Sequence, residues 1–301
     1  MATMAEPTSQ TNTQIPFHEY HAEAHVLSGE LKKPIEHKLE RHAHSSLNGR
    51  RAGHFTSNAE GVSLQGLVTT RAGYSRVSGG KSLKHNGWVT LSTSVLEGLN
   101  VFEVVTADRV VSQVSTDHTY ENGHFPSVTF LGSQFANLRV SGIPVNLEFD
   151  YAICGDKPTG DRSYLEDFDF LTRVQKQTES IAKAKGLPPE LKTEYDKRLA
   201  TITDLIAGKR TGDEPHITCS LIKSIGELSL PGVRSFGHVL LIPEFGYVSL
   251  GEIEVGEKKY DPTETRPSNY FKISIIECKL GCIGDGHVQG PVAMVNGTHK
   301  P

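Results

Sequence analysis

Histidine side chains are concentrated near the start of the sequence, where seven of the fourteen lie before residue 55. Side chains alternate across an extended strand, so residues two apart share a face. Imidazoles spaced this way can ligate a divalent metal when a neighbouring strand supplies a third ligand. The alternative is a solvated polar face, because no spacing in this segment fixes a ligand geometry. The candidate divalent-metal ligands are His21, Glu23, His25, His42 and His44.

Two carboxylates, Glu148 and Asp150, lie within Ile143–Cys154, the clearest stretch of alternating apolar and polar residues. On one strand face their Cα atoms would lie about 7 Å apart. Paired carboxylates act as catalytic acid and base when their surroundings separate their pKa values. The alternative is a hydrated outward face. Catalysis by this pair therefore requires the face to line an enclosed cavity.

Four cysteines occur in apolar stretches of the sequence: Cys154, Cys219, Cys278 and Cys282. One interpretation is four small buried side chains, which is the usual state of a free cysteine. A second is a disulfide between Cys154 and Cys219, because these two flank a helical segment. A third is a thiolate metal site on Cys278 and Cys282, although the second ligand pair of a zinc site is missing.

The charge and hydropathy patterns argue against several classes of function. The net charge is −4, and lysines and arginines form no long block, so neither a nucleic-acid partner nor an anionic membrane surface is expected. No apolar run approaches the roughly 18 residues of a membrane-spanning helix. The N-terminus has no signal-peptide pattern, which favours a cytoplasmic location. Phosphate-binding and dinucleotide-binding motifs are missing, so no cofactor-binding residues are predicted.

The periodicity predicts one β domain over residues 17–296, between flexible ends at 1–16 and 297–301. Apolar residues recur every second position over most of this range, and turn signals such as Ser78-Gly79-Gly80 separate the runs. The period changes to helical at about 163–208, where Gly186-Leu187-Pro188-Pro189 divides two apolar stripes. The sequence predicts an antiparallel β-sandwich or barrel with an inserted antiparallel α-helical hairpin.

The tract Trp88–Val145 resembles a segment of bacterial surface-anchored β proteins of the "choice-of-anchor" type. The resemblance lies in Glu97–Asp108 and in Phe135–Val145, and it covers about a fifth of the chain. Proteins of that type carry a signal peptide and an anchor, for which this sequence has no pattern. They have no established chemistry, so the resemblance implies a bacterial-like β protein without implying an activity.

Two functions fit these observations. The first is a non-catalytic binding or scaffold protein that uses its loops and the helical hairpin to contact a protein partner, a small ligand or a second copy of itself. The second is a small-molecule enzyme, an isomerase, cyclase or hydrolase, with Glu148 and Asp150 in the cavity of the sandwich or barrel. The missing catalytic motifs favour the first.

Overall fold

The computed structural model of the chain describes residues 17–119, 124–210, 212–259, 266–282 and 284–300, and the predicted tail at 1–16 lies outside this range. The strands before the helical segment are β1 (Phe17–His25), β2 (Leu27–Lys33), β3 (His37–His42), β4 (Ser45–Gly49), β5 (Gly53–Glu60), β6 (Ser63–Leu64), β7 (Val68–Thr69), β8 (Ala72–Lys81), β9 (Gly87–Val101), β10 (Val105–Thr119), β11 (Ser127–Thr129), β12 (Gln134–Ala136), β13 (Arg139–Val140), β14 (Ile143–Pro144) and β15 (Leu147–Phe149). A 3₁₀ turn (Tyr164–Glu166), α1 (Phe168–Ala182) and α2 (Pro189–Ile206) follow. The later strands are β16 (His216–Ser220), β17 (Ile222–Ile225), β18 (Arg234–Phe236), β19 (Val239–Ile242), β20 (Gly246–Lys258), β21 (Ser268–Leu280), β22 (Asp285–Gln289) and β23 (Val292–Lys300).

Two antiparallel sheets face each other across the core. The larger contains eleven of the described strands, and its centre runs in the order β4-β1-β23-β21-β20-β16. The smaller contains ten, built around β5-β8-β9-β10. The predicted antiparallel sandwich with an inserted helical hairpin is therefore confirmed, and the sandwich is the alternative that the chain adopts.

Small residues bring the two sheets close together. Ala22 and Ala24 on β1 are fully buried, and the Ser92 hydroxyl on β9 donates to the Glu23 carbonyl across the interface at 2.7 Å. A Cβ added to Gly79 on β8 would overlap the Tyr20 ring. Gly79 and its neighbour lie inside β8, where a turn was predicted, because the opposite sheet needs a residue without a side chain there.

The helical hairpin begins and ends where the sequence predicts. Ser163 accepts from the Leu165 amide and forms a capping box with Glu166, and the Asp167 carboxylate then caps α1. Tyr164 is fully buried, and its ring contacts that of Phe271 edge-on with 5.0 Å between the centroids. Of the apolar stripe on the first helix, Phe168 remains 63% exposed. Ile181 of α1 and Tyr195 of α2 share a buried cluster with Val239 of β19, so the hairpin packs on the larger sheet.

The segment Ile143–Cys154 is not the single long strand that its alternation predicts. It contains β14, β15 and a turn at 151–154. Pro144 has no amide hydrogen to extend a ladder, and the Asp150 carboxylate accepts from the Ala152 amide at 3.1 Å, which favours a turn. At the other end of the chain, β23 continues to Lys300, opposite Phe17, beyond the predicted end of the domain at 296.

Candidate functional site

A charged cavity of about 320 Å³ lies on the outer face of the larger sheet, the face turned away from the smaller sheet. We call it the outer-face cavity. Its lining combines carboxylates, cations, one histidine, one tyrosine and two apolar side chains. The lining residues are Glu23, His25, Arg41, Glu214, Glu254, Lys258, Tyr270, Lys272, Val292 and Met294.

The strand register places the central side chains of this cavity in one row. Glu23 on β1 is opposite Met294 on β23, which is opposite Lys272 on β21, which is opposite Glu254 on β20. Directly opposed residues in antiparallel strands point to the same face, with Cβ atoms about 5 Å apart. The row therefore alternates acid, apolar, base and acid across four strands.

Ion pairs at both ends of this row are loose and partly hydrated. Arg41 lies 3.3 Å from the Glu23 carboxylate, and His44 lies 3.8 Å from the same oxygen. At the other end, Lys272 lies 3.8 Å from Glu254, to which Tyr270 donates a hydrogen bond at 2.7 Å. Solvent-shared pairs of this kind contribute about 0–1 kcal/mol each, so an occupant can displace them at small cost.

His25 forms a neutral wall of the cavity. Burial lowers its pKa to about 4, and the nearby charges of Arg41 and Lys272 add to this effect. The ring hydrogen-bonds the Ser28 hydroxyl at 3.1 Å, and the Ser94 hydroxyl of β9 donates to the His25 carbonyl at 2.8 Å. The imidazole is therefore uncharged at neutral pH, with its backbone fixed from the opposite sheet.

A second polar cluster joins α2 to the larger sheet. Arg198 reaches the Glu252 carboxylate at 2.8 Å, and the same carboxylate oxygen lies 3.4 Å from Nε2 of the buried His238. Tyr195 hydrogen-bonds His238 at 3.1 Å. Burial alone would raise the pKa of Glu252, but the charges and hydrogen bonds of Arg198 and His238 together outweigh it and hold that pKa well below its usual value. Among the described residues, Nδ1 of His238 has no hydrogen-bond partner. The charged groups of the cluster pair with one another, so we interpret the cluster as structural.

The structure brings only part of the predicted metal site together. Glu23 and His25 line the outer-face cavity, and His44 lies 3.8 Å from Glu23, whereas His21 hydrogen-bonds Asn48 at 3.2 Å. His42 lies on β3, opposite Leu27 of β2. Within the described part of the chain, no group of three or more His, Cys, Asp or Glu side chains is placed to hold a metal ion. Metal analysis of protein purified without an affinity tag tests the predicted ligands directly.

The predicted catalytic carboxylates are separated from the outer-face cavity. Glu148 on β15 is exposed, and its side chain lies 2.6 Å from Lys223 and 2.9 Å from the Ser224 hydroxyl. Hydrogen bonds from these two residues lower the pKa of Glu148, so it is ionised and unsuited to donate a proton. Asp150 accepts from the Ala152 amide in a turn. Catalysis by this pair stays a prediction, and neither residue lines the outer-face cavity.

All four cysteines are free thiols, and three of them are buried. Cys282 is exposed in a turn after β21, while Cys278 is buried within that strand. This difference does not favour a shared metal site. The proximity of Cys154 and burial both raise the pKa of the Cys219 thiol.

Sequence reasoning missed several residues of the outer-face cavity, among them Arg41, Lys272 and Tyr270. Lys272 and Tyr270 occupy alternate positions in a predicted strand, which is a signal for a shared face. Their closeness to Glu23 depends on β1 pairing with β23 and β23 pairing with β21. Such distant pairings leave no local signal in the sequence.

Residues 18–256 match the family described as "Domain of unknown function (DUF8256)", and the chain belongs to this family. No curated protein and no solved structure matches the chain. The resemblance to choice-of-anchor proteins therefore stays a prediction. Among the described residues, no helix is long and apolar enough to cross a membrane.

Proposed function

We propose that this member of the DUF8256 family is a non-catalytic binding protein whose outer-face cavity holds a small zwitterionic ligand. The observation that carries the proposal is the row of Glu23, Met294, Lys272 and Glu254, in which acid and base lie on neighbouring strands of one rigid sheet. Binding residues are positioned well by strands, because backbone hydrogen bonds fix their spacing.

The charges of the cavity favour a ligand that carries both signs. A carboxylate of the ligand can pair with Lys272 or Arg41, and its ammonium can pair with Glu23 or Glu254. Each protein charge then exchanges a loose partner for a closer one, so the ligand leaves no charge unpaired. A ligand with a single charge would leave either the acidic or the basic side chains without a partner.

The size and floor of the cavity favour a small molecule with a short apolar body. Its volume of about 320 Å³ is at the lower end of the range typical of ligand sites. Val292 and Met294 supply the apolar contact, and the flexible thioether of Met294 adapts to different shapes. A free amino acid or an ω-amino acid fits these requirements.

Calorimetric titration tests this proposal with matched sets of probes. The panel consists of α-amino acids and ω-amino acids, together with the amines and carboxylic acids that lack one of the two charges. We expect saturable binding of a zwitterion, and binding at least tenfold weaker for its single-charge analogues. Lys272→Met retains the length of the side chain and removes its charge, so it should weaken binding about tenfold, or about 1.4 kcal/mol.

Lys38→Met is the matched control, since Lys38 is an exposed lysine of β3 paired with Glu40 at 3.1 Å. It should bind like the wild-type protein. If no zwitterion of the panel binds at millimolar concentration, or if Lys272→Met and wild type bind equally, the proposal is wrong.

Three further properties are also proposed. Affinity capture tests contact with a protein partner through the helical hairpin. Size-exclusion chromatography tests self-association, and localisation experiments test a cytoplasmic location. The apolar stripe of the hairpin is largely used against the sheet, so a partner would meet its polar side. No observation favours the enzyme alternative over binding.

A further inference from the structure

The strand β5 forms an edge of the smaller sheet. All eight of its residues pair with β8 without a shift in register, from Gly53 opposite Gly79 to Glu60 opposite Ala72. Among the described residues, no strand pairs with the other side of β5, and no loop forms a backbone hydrogen bond with it. Every second residue of an edge strand points its N–H and C=O groups away from the neighbouring strand. This edge of the sandwich therefore presents a regular row of backbone donors and acceptors.

The features that usually prevent an edge strand from pairing are missing from β5. Proteins protect such edges by making them short, by placing lysine or proline on them, or by a bulge. The edge strand β3 of the larger sheet carries the exposed Lys38 and Glu40, and its register with β2 shifts. The edge strand β14 of the smaller sheet has two residues, one of which is Pro144. In contrast, β5 is long and regular and contains neither lysine nor proline.

The side chains of β5 alternate between two faces. Phe55 points to the inner face, opposite the buried Val77, and its side chain is nevertheless 50% exposed. The outer face carries four exposed polar side chains, those of His54, Thr56, Asn58 and Glu60. An apolar ring and a polar row thus lie together at an open strand edge, which is the composition of a β-pairing interface.

We propose that two copies of this chain associate through β5, with the two strands antiparallel about a twofold axis at Ser57. This assigns a surface to the self-association proposed above, and the surface is separate from the outer-face cavity, which no residue of β5 lines. Directly opposed residues of antiparallel strands point to the same face, with Cβ atoms about 5 Å apart. The opposed pairs, each formed twice, are His54 with Glu60, Phe55 with Ala59, and Thr56 with Asn58.

The chemistry of these pairs favours a second copy of the chain as the partner. Arg76 donates to Nδ1 of His54 at 3.3 Å, so Nε2 carries the ring hydrogen and can donate to the Glu60 carboxylate of the second copy. The small side chain of Ala59 leaves room for the ring of Phe55, which the interface then covers. Moving the axis by one residue, to Thr56, would place Glu60 opposite Ala52 and remove the polar pair. The strand is therefore self-complementary in one register.

Sedimentation velocity of the full chain tests the interface. We expect dimers to replace monomers as the concentration rises from about 1 to about 100 µM. His54→Glu and Glu60→Lys should each weaken the dimer roughly tenfold, because each places two acceptors or two donors opposite each other, twice per interface. An equimolar mixture of the two variants should recover the wild-type affinity, since every opposed pair again joins a donor to a carboxylate.

Glu40→Lys, on the edge strand β3, is the matched control and should dimerise like the wild type. Far-UV circular dichroism checks that each variant is folded. The proposal is overturned if the wild-type chain stays monomeric at about 100 µM, if the single variants dimerise like the wild type, or if the mixture stays as weak as its components.

A cysteine crosslink tests the register, in a Cys282→Ser background that removes the exposed thiol. Ser57→Cys places the two thiols directly opposite each other at the axis, so mild oxidation should give a disulfide-linked dimer on a non-reducing gel. Thr56→Cys is the control, because its two Cα atoms would lie about 8 Å apart, which is too far for a disulfide. A crosslink with Thr56→Cys and none with Ser57→Cys would show that the proposed register is wrong.

Discussion

Arg198 on α2 and Glu252 on β20 form an ion pair at 2.8 Å where the helical hairpin meets the larger sheet. Most of both side chains is removed from water, and Glu194 and His238 complete the hydrogen bonding around them. A buried charge with a partner is tolerated, whereas the same charge without one is strongly destabilising. The pair therefore makes the position of the hairpin on the sheet specific.

Removing one member of this pair should destabilise the protein. Arg198→Met leaves the Glu252 carboxylate buried without its cation, and we expect a loss of about 3 kcal/mol in the free energy of unfolding, measured by urea denaturation. The double variant Arg198→Met/Glu252→Gln should recover part of this loss, because the uncompensated charge is removed. Lys183→Met, at an exposed pair with Glu179, is the control and should change stability little.

Truncation of two aromatic residues four positions apart should have very different effects on stability. Tyr164→Ala removes a fully buried ring from the core and should cost about 3–5 kcal/mol. Phe168→Ala removes a ring that is 63% exposed and should change the unfolding free energy by less than about 0.5 kcal/mol. Similar losses in the two variants would contradict the described docking of the hairpin.

Adjacent glycines on β8 test the close approach of the two sheets. Gly79→Ala places a methyl group against the Tyr20 ring and 2.8 Å from Cδ2 of Leu47, so we expect a loss of about 1–3 kcal/mol. Gly80→Ala is the matched control, because its added Cβ meets no atom within 4 Å. Both substitutions change strand propensity equally, and chemical denaturation measures the difference between them.

Stability should fall as the pH is lowered through the titration range of histidine. The folded-state pKa of His25 is about 4, below its unfolded value of 6.5, so its contribution is complete above pH 6.5 and is lost as the pH falls towards 4. Between pH 7.5 and 4.5 the loss from His25 is roughly 2–3 kcal/mol. Burial and the nearby His18 also lower the pKa of His118, which adds a loss in the same direction.

Urea midpoints measured across this pH range check the expectation. His25→Asn should reduce the pH dependence of the unfolding free energy by the contribution of His25. The control His37→Asn, at an exposed position, should leave the pH dependence unchanged. A slope that is equal in wild type and His25→Asn would show that His25 does not titrate as its burial requires.

The parts of this fold that depend on local physics were predictable. The apolar stripes and Pro188-Pro189 define the helices, and the two-residue period defines the strands of the sandwich. The alternation at Ile143–Cys154 predicted one long strand, which is wrong. Pro144 and Asp150 interrupt the backbone pairing there, and alternation of side chains does not report on that pairing. For the site, Glu23 and His25 were identified from their shared face. Lys272 was not, because its place beside them depends on strand order rather than spacing.

The antiparallel pairing of β1 with β23 has a consequence for how the chain reaches its native state. Ala24 is opposite Ala293, so β1 acquires this partner only after the residues between them have been synthesised. Contacts between such distant residues close very long loops and slow folding. The larger sheet can therefore be completed only once β23 has been synthesised, and until then the edges of β1 and β21 are open to pairing with other chains.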